Sequence, residues 1–106
     1  MAEDLSVWLR YEGRAFPDRE WRDHLRPFNV KWSRTKSTDE FPIWYAVEGQ
    51  GYVAWISDAR PREDHWRIII SISASAPANG VKVLQEIAEA AVVRFPAMRI
   101  EKRLAD

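Results

Sequence analysis

Residues 65–74 read His-Trp-Arg-Ile-Ile-Ile-Ser-Ile-Ser-Ala, and this stretch decides the fold class. Trp66, Ile68, Ile70, Ile72 and Ala74 form one set of alternating positions, and Arg67, Ile69, Ser71 and Ser73 form the other. A period of two places the first set on one face of a strand, whereas a helix would scatter it around its circumference. β-Branched isoleucines at four of these positions favour the pleated backbone further. The first set is apolar throughout and demands cover. The second runs Ile69, Ser71, Ser73 and continues to Ser75, leaving room above small polar side chains, either for a close neighbour or for a concave floor.

The chain on either side of this strand supplies partners for it. Leu5, Val7, Leu9 and Tyr11 alternate with Ser6, Trp8 and Arg10, which predicts a first strand. Phe16-Pro17-Asp18 opens a short helix with proline near its first position and acids in its first turn; Trp21 and Leu25 give it one narrow apolar stripe, and Pro27 ends it. Phe28, Val30 and Trp32 predict a second strand, and Arg34 to Glu40 reads as a polar loop. Two strands follow, Phe41 to Glu48 and Gly51 to Ser57, joined at Gly49-Gln50; Asp58 to Asp64 is a charged loop broken by Pro61. Asn79 can cap a helix from about Gly80 to Phe95, with Leu84, Ile87, Ala88, Ala91 and Phe95 at helical spacing and Pro96 as its stop. Met98, Ile100 and Lys102 predict a last strand. The expected order is β-α-β-β-β-β-α-β: one α+β domain over residues 1–106, a mostly antiparallel sheet of about six strands with both helices on one face, in a ferredoxin-like outline with an extended middle.

Bulk properties narrow the function classes. The 106 residues are 46% hydrophobic and 12% aromatic, values of a chain that can bury a core. Formal net charge is +0, which disfavours duplex nucleic acid as partner, since such binding displaces counterions with surplus cations. Residues 10–36 are nonetheless net basic and residues 37–64 net acidic, and strand neighbours are expected to bring the two blocks together. Cysteine is absent, so disulfides and thiolate zinc sites are excluded. The first ten residues lack the basic start and apolar run of a signal peptide, and no apolar run is long enough to span a bilayer; a cytoplasmic location without membrane contact is expected.

Chemistry finds little footing. His24 follows Asp23 and His65 follows Asp64, but neither stands at a metal-ligand spacing, so no metal and no cofactor is expected. Glu63, Asp64 and His65 could exchange protons, yet they sit in a charged loop that reads equally well as a solvated one. Ser71, Ser73 and Ser75 lie outside any Gly-x-Ser-x-Gly turn, and the four glycines are too scattered to cradle phosphate.

Binding has more support, because six tryptophans occur in so short a chain. A two-residue turn at Gly49-Gln50 pairs Glu48 with Gly51 and sets Trp44 across from Trp55; a three-residue turn would set Tyr45 there instead. Cross-strand aromatics can serve structure alone, and single exposed aromatics are common. Trp, Tyr and Arg also dominate the energetics of interfaces. Trp8, Trp44 and Trp55, with Arg60 and Arg62 from the neighbouring loop, are therefore the expected partner-binding residues. Gln50-Gly51-Tyr52-Val53-Ala54-Trp55 resembles the central-strand motif of RNA-recognition domains over six residues, lacking the leading cation and carrying Ala54 where a stacking aromatic belongs. The expected function is a non-catalytic protein-binding module, comparable in size and character to small bacterial immunity proteins that neutralise a partner by occupying it. A small-ligand binder or small enzyme with a pocket between sheet and helices is the alternative, and a single-stranded nucleic-acid binder the third.

Overall fold

A computed structural model describes residues 4–28, 30–33 and 43–102, with the backbone alone at 4, 31–33 and 102. Among these residues the elements are β1 (Asp4–Tyr11), α1 (Asp18–Leu25), a 3₁₀ turn (Arg26–Phe28), β2 (Lys31–Ser33), β3 (Trp44–Gly49), β4 (Tyr52–Ser57), β5 (Arg60–Pro61), β6 (Trp66–Ser73), α2 (Ala78–Arg94) and β7 (Met98–Lys102). Six strands lie in the order β2-β3-β4-β6-β1-β7, every neighbour antiparallel, and the two-residue β5 pairs with the start of β6. This is the α+β class that the alternation predicts. β6, α2 and β7 form a split β-α-β unit around β1, half of a ferredoxin-like outline. β1, α1 and β2 do not repeat it, because β6, β4 and β3 stand between those two strands.

The strand over residues 65–74 becomes β6, near the centre of the sheet. Its apolar set pairs outward on both sides: Ile70 lies between Val7 of β1 and Ile56 of β4, and Ile72 between Leu5 and Ala54. Ile68, Ile70 and Ile72 are at most 1% exposed and share one core with Trp21 and Leu25 of α1 and Leu84, Ile87, Ala88 and Ala91 of α2. Both helices thus pack on the same face of the sheet. Each fully buried isoleucine contributes about 1.5–3 kcal/mol of transfer free energy.

Local chemistry moved three boundaries. Phe28, expected to begin the second strand, closes the 3₁₀ turn and packs on the core, and β2 begins at Lys31. Pro27 has no N–H to give a ladder and its fixed φ suits the turn. Asn79 is not the cap of α2. The cap is Pro77, whose carbonyl accepts from the N–H groups of Gly80 and Val81, and the Asn79 amide instead reaches the Gln50 carbonyl at 3.4 Å. The hairpin turn is Gln50-Gly51, not Gly49-Gln50: Gly51 takes the positive φ of 79° and Gly49 pairs with Tyr52, whose ring occupies the space a Cβ at Gly49 would need. Ala46 therefore faces Trp55 and Trp44 faces Ser57. The register moved by two, so both tryptophans kept the face assigned to them. The Arg34–Glu40 loop and the Phe41-Pro42 start of the expected third strand lie outside the described residues.

His24 ties the two helices together. It is 7% exposed, its ring stacks on Trp21 at 5.3 Å and meets Phe95 edge-on at 5.8 Å, and its Nε2–H donates to the Ile87 carbonyl at 3.4 Å. Burial lowers its pKa below 6.5, aided by the Arg94 charge and opposed by the Ile87 bond. The unfolded chain therefore takes up a proton before the folded one does. Stability is expected to be level above about pH 6.5 and to fall as the pH drops below it, by at most about 1.4 kcal/mol per pH unit for one proton. Urea unfolding of the wild type and His24→Phe between pH 8 and pH 5 checks this: the loss of stability toward pH 5 should be smaller in the variant.

Candidate functional site

The face opposite the helices carries the odd set of β6 and its neighbours. Read across the strands, one row runs Ser6, Ser71, Trp55 and Ala46. The next runs from Trp8 to Ile69, beside Ser57, whose hydroxyl accepts from the Ile69 N–H at 2.8 Å, and ends on Trp44. A third row holds Arg60, Arg67, Arg10 and Arg99, drawn from β5, β6, β1 and β7. Four arginines at adjacent register positions repel one another unless acids stand among them.

The acids are present. Arg10 binds Glu12 at 3.2 Å and Asp64 at 3.3 Å, Arg99 binds Glu12 at 2.6 Å, and Arg67 binds Glu101 at 3.1 Å. The Arg10–Asp64 pair joins the basic block of the sequence to the acidic one, between β1 and the loop that precedes β6. Arg67 also places its guanidinium 4.6 Å from the centre of the Trp8 ring, a cation–π contact that aligns the arginine row with the aromatic row. The Ser71 hydroxyl is buried in the middle of this face and finds no hydrogen-bond partner among the described residues.

The expected binding residues separate into groups. Trp8 and Trp55 are partly exposed and flank Ile69 and Ser71. Trp44 shares their face but is only 3% exposed, and Ala46 and Ser57 beside it are buried as well. Arg60 joins the arginine row through its pairing with Arg67. Arg62 sits past β5, where its backbone N–H donates to the His65 carbonyl at 2.7 Å, closing the loop. Arg67, Arg10, Arg99 and Ile69 do not stand out in the sequence. Their signal is the second set of positions in each strand, which becomes readable as a site only when β1, β6 and β7 are known to be neighbours.

Of Glu63, Asp64 and His65, the last two meet. His65 Nδ1–H donates to Asp64 Oδ1 at 2.7 Å, and this bond, helped by the Arg10 charge, holds the Asp64 carboxyl below the usual carboxylate range. His65 Nε2 is enclosed by protein and makes no hydrogen bond among the described residues. Ser73 and Ser75 hydrogen-bond each other at 2.9 Å. Among the described residues no group of three or more His, Cys, Asp or Glu could hold a metal ion, and no helix is long and apolar enough to cross a membrane. Comparison of the chain with protein-family models, with curated proteins and with solved structures finds no match.

Proposed function

We propose that the chain is a protein-binding module that takes a partner protein on the sheet face away from its helices, in the manner of a bacterial immunity protein that occupies what it neutralises. The observation that carries this is the row of Arg60, Arg67, Arg10 and Arg99 lying beside the row of Trp8 and Ile69, with Trp55 next to it. Interfaces combine an aromatic and arginine-rich centre with a polar rim, and these two rows supply both parts. The acids already interleaved with the arginines give the face a pattern of charge and not only a sign. Such a pattern sets register and raises encounter rates.

The test begins with affinity capture from the host that encodes the chain, followed by titration of the purified partner. Trp8→Ala with Trp55→Ala should weaken binding about 30- to 1,000-fold, the range for losing central aromatic anchors. Val93→Asp, at an 85% exposed position on α2, should leave it unchanged. Recovery of no stoichiometric partner, or an affinity insensitive to the tryptophan pair, counts against the reading.

The same arginine row beside aromatic side chains favours a second reading, a single-stranded nucleic-acid surface. Ion pairing to Glu12, Asp64 and Glu101 reduces the positive charge available to phosphates. Titration with a single-stranded oligonucleotide over a range of salt separates the two: strong binding that collapses with added salt supports the nucleic acid.

A further inference from the structure

The sheet ends on β7, whose outer edge meets no other strand among the described residues. Its hydrogen-bonding phase follows from one bond. The Glu12 N–H donates to the Ala97 carbonyl at 2.9 Å, which makes residues 12 and 97 a hydrogen-bonded pair. Such pairs alternate along an antiparallel ladder with pairs that exchange no bonds. Arg10 and Arg99 are the next bonded pair, and Leu9 and Ile100 are an unbonded one. Ile100 therefore turns its N–H and C=O away from β1, toward the open edge. The register shift comes after Leu9–Ile100, so this phase holds through Ile100.

Side chains on this strand alternate as well. Ile100 lies on the helix side, partly buried against the core, where α2 packs on β7. Arg99 and Glu101 stand on the opposite side. Arg99 holds Glu12 and Glu101 holds Arg67, yet their side chains remain 64% and 30% exposed. Charges on an edge strand keep most other strands away, because few bring the matching charges. A second copy of this strand does bring them. In an antiparallel pair centred on Ile100, the two Ile100 residues exchange their outward bonds, and Arg99 falls directly across from Glu101 of the other copy. Two-fold symmetry forms that opposite-charge pair on both sides of the axis. The next compatible register in either direction sets Arg99 against Arg99 or Glu101 against Glu101, and like charges directly opposite are destabilising. One register alone is favoured.

We propose that the chain pairs with a second copy of itself through β7, antiparallel and centred on Ile100, as a symmetric dimer with one continuous sheet. The axis passes through the sheet, so the helices of both copies lie on one side of it. On the other side the ion pairs join into a run: Glu12 and Arg99 of one copy, then Glu101 and Arg67 of the other. The two Ile100 side chains meet on the helix side and lose their remaining exposure to water. The dimer does not cover the face that carries Trp8 and Trp55, and it forms without any other partner.

Sedimentation velocity of the purified chain alone, from about 1 µM to about 1 mM, tests this. A monomer–dimer equilibrium with a dissociation constant of about 1–100 µM is expected, as suits a small interface. Arg99→Glu alone and Glu101→Arg alone each set like charges across the axis, and each should weaken dimerisation at least about tenfold. Mixed together, the two variants regain opposite charges at both positions and should associate with each other about as strongly as the wild type does with itself. Loss of folding cannot produce that rescue. Should either variant fail to fold, a cross-link keeps the test, because the chain has no cysteine. Ile100→Cys should be joined to its own copy by a short bis-maleimide linker, and Val93→Cys, on the exposed side of α2, should not. A chain that stays monomeric up to about 1 mM, single charge variants that dimerise like the wild type, a mixture that does not associate, or equal cross-linking at both positions overturns the proposal.

Discussion

Ile70→Ala is expected to lower the stability of the domain by about 3–5 kcal/mol, and Ile69→Ala, one residue away, by no more than about 1.5 kcal/mol. Ile70 is fully buried, paired with Val7 on one side and Ile56 on the other, in the core shared by both helices. Truncating it removes three carbons from a region whose neighbours belong to two strands and cannot close the gap together. For a domain near 100 residues each kcal/mol moves the melting temperature by roughly 4–8 °C, so Ile70→Ala should lose on the order of 15–30 °C. Ile69 faces the other way, is partly exposed, and lies across from Trp8. Its truncation should spare the fold and weaken partner capture. Thermal melts of the two variants, read beside their binding, test the face assignment and the proposed interface at once. Similar melting losses for both would mean that the two faces do not divide between core and surface as described.

That contrast is legible in the sequence, because β6 alternates cleanly and its centre is isoleucine on both sides of the pleat. The helices' shared face is legible too, from Trp21 and Leu25 on α1 and the Leu84, Ile87, Ala88 and Ala91 stripe on α2. The hairpin register is not. Gly49-Gln50-Gly51 offers two placements of one turn, and the choice rests on the Tyr52 ring lying over Gly49, a contact between residues on different strands. Burial of Trp44 is equally hidden, since both faces of β3 are apolar and alternation does not say which face a neighbour covers. The arginine row shows the general case. Each arginine is ordinary in its own strand, and only the order β6-β1-β7, with β5 pairing to β6, lines them up. Asn79 misleads for a local reason: it is a good cap by composition, but the Pro77 carbonyl is placed to begin the helix and the Asn79 amide is drawn to Gln50.

Gly80→Val should cost about 2–4 kcal/mol, although valine is the better helix former by a few tenths of a kcal/mol. Gly80 is the point where the first turn of α2 touches the sheet. A Cβ there would stand 2.7 Å from Cγ of Tyr52, 3.0 Å from its Cβ and 2.9 Å from Cδ1 of Ile72. Ile72 can swing its terminal methyl aside, but the Tyr52 atoms are close to the backbone of β4 and move only with it. Tyr52 cannot retreat either, since its ring fills the space over Gly49. The added branched side chain must therefore push α2 off the sheet, at the end where Asn79 links the helix to the hairpin turn. Ala90→Val, on the exposed side of the same helix, supplies the propensity control and should change stability by less than about 0.7 kcal/mol. Gly51→Ala separates close approach from backbone conformation: its Cβ would meet only Pro77 Cγ at 3.7 Å, but φ of 79° is strained for alanine, and a loss of about 1–2 kcal/mol is expected. Denaturant titrations of the three variants should rank Gly80→Val as the most damaging, then Gly51→Ala, then Ala90→Val. If Gly80→Val proved neutral, α2 would have to sit farther from β4 than the contact with Tyr52 allows, and the tight docking of helix on sheet would be wrong.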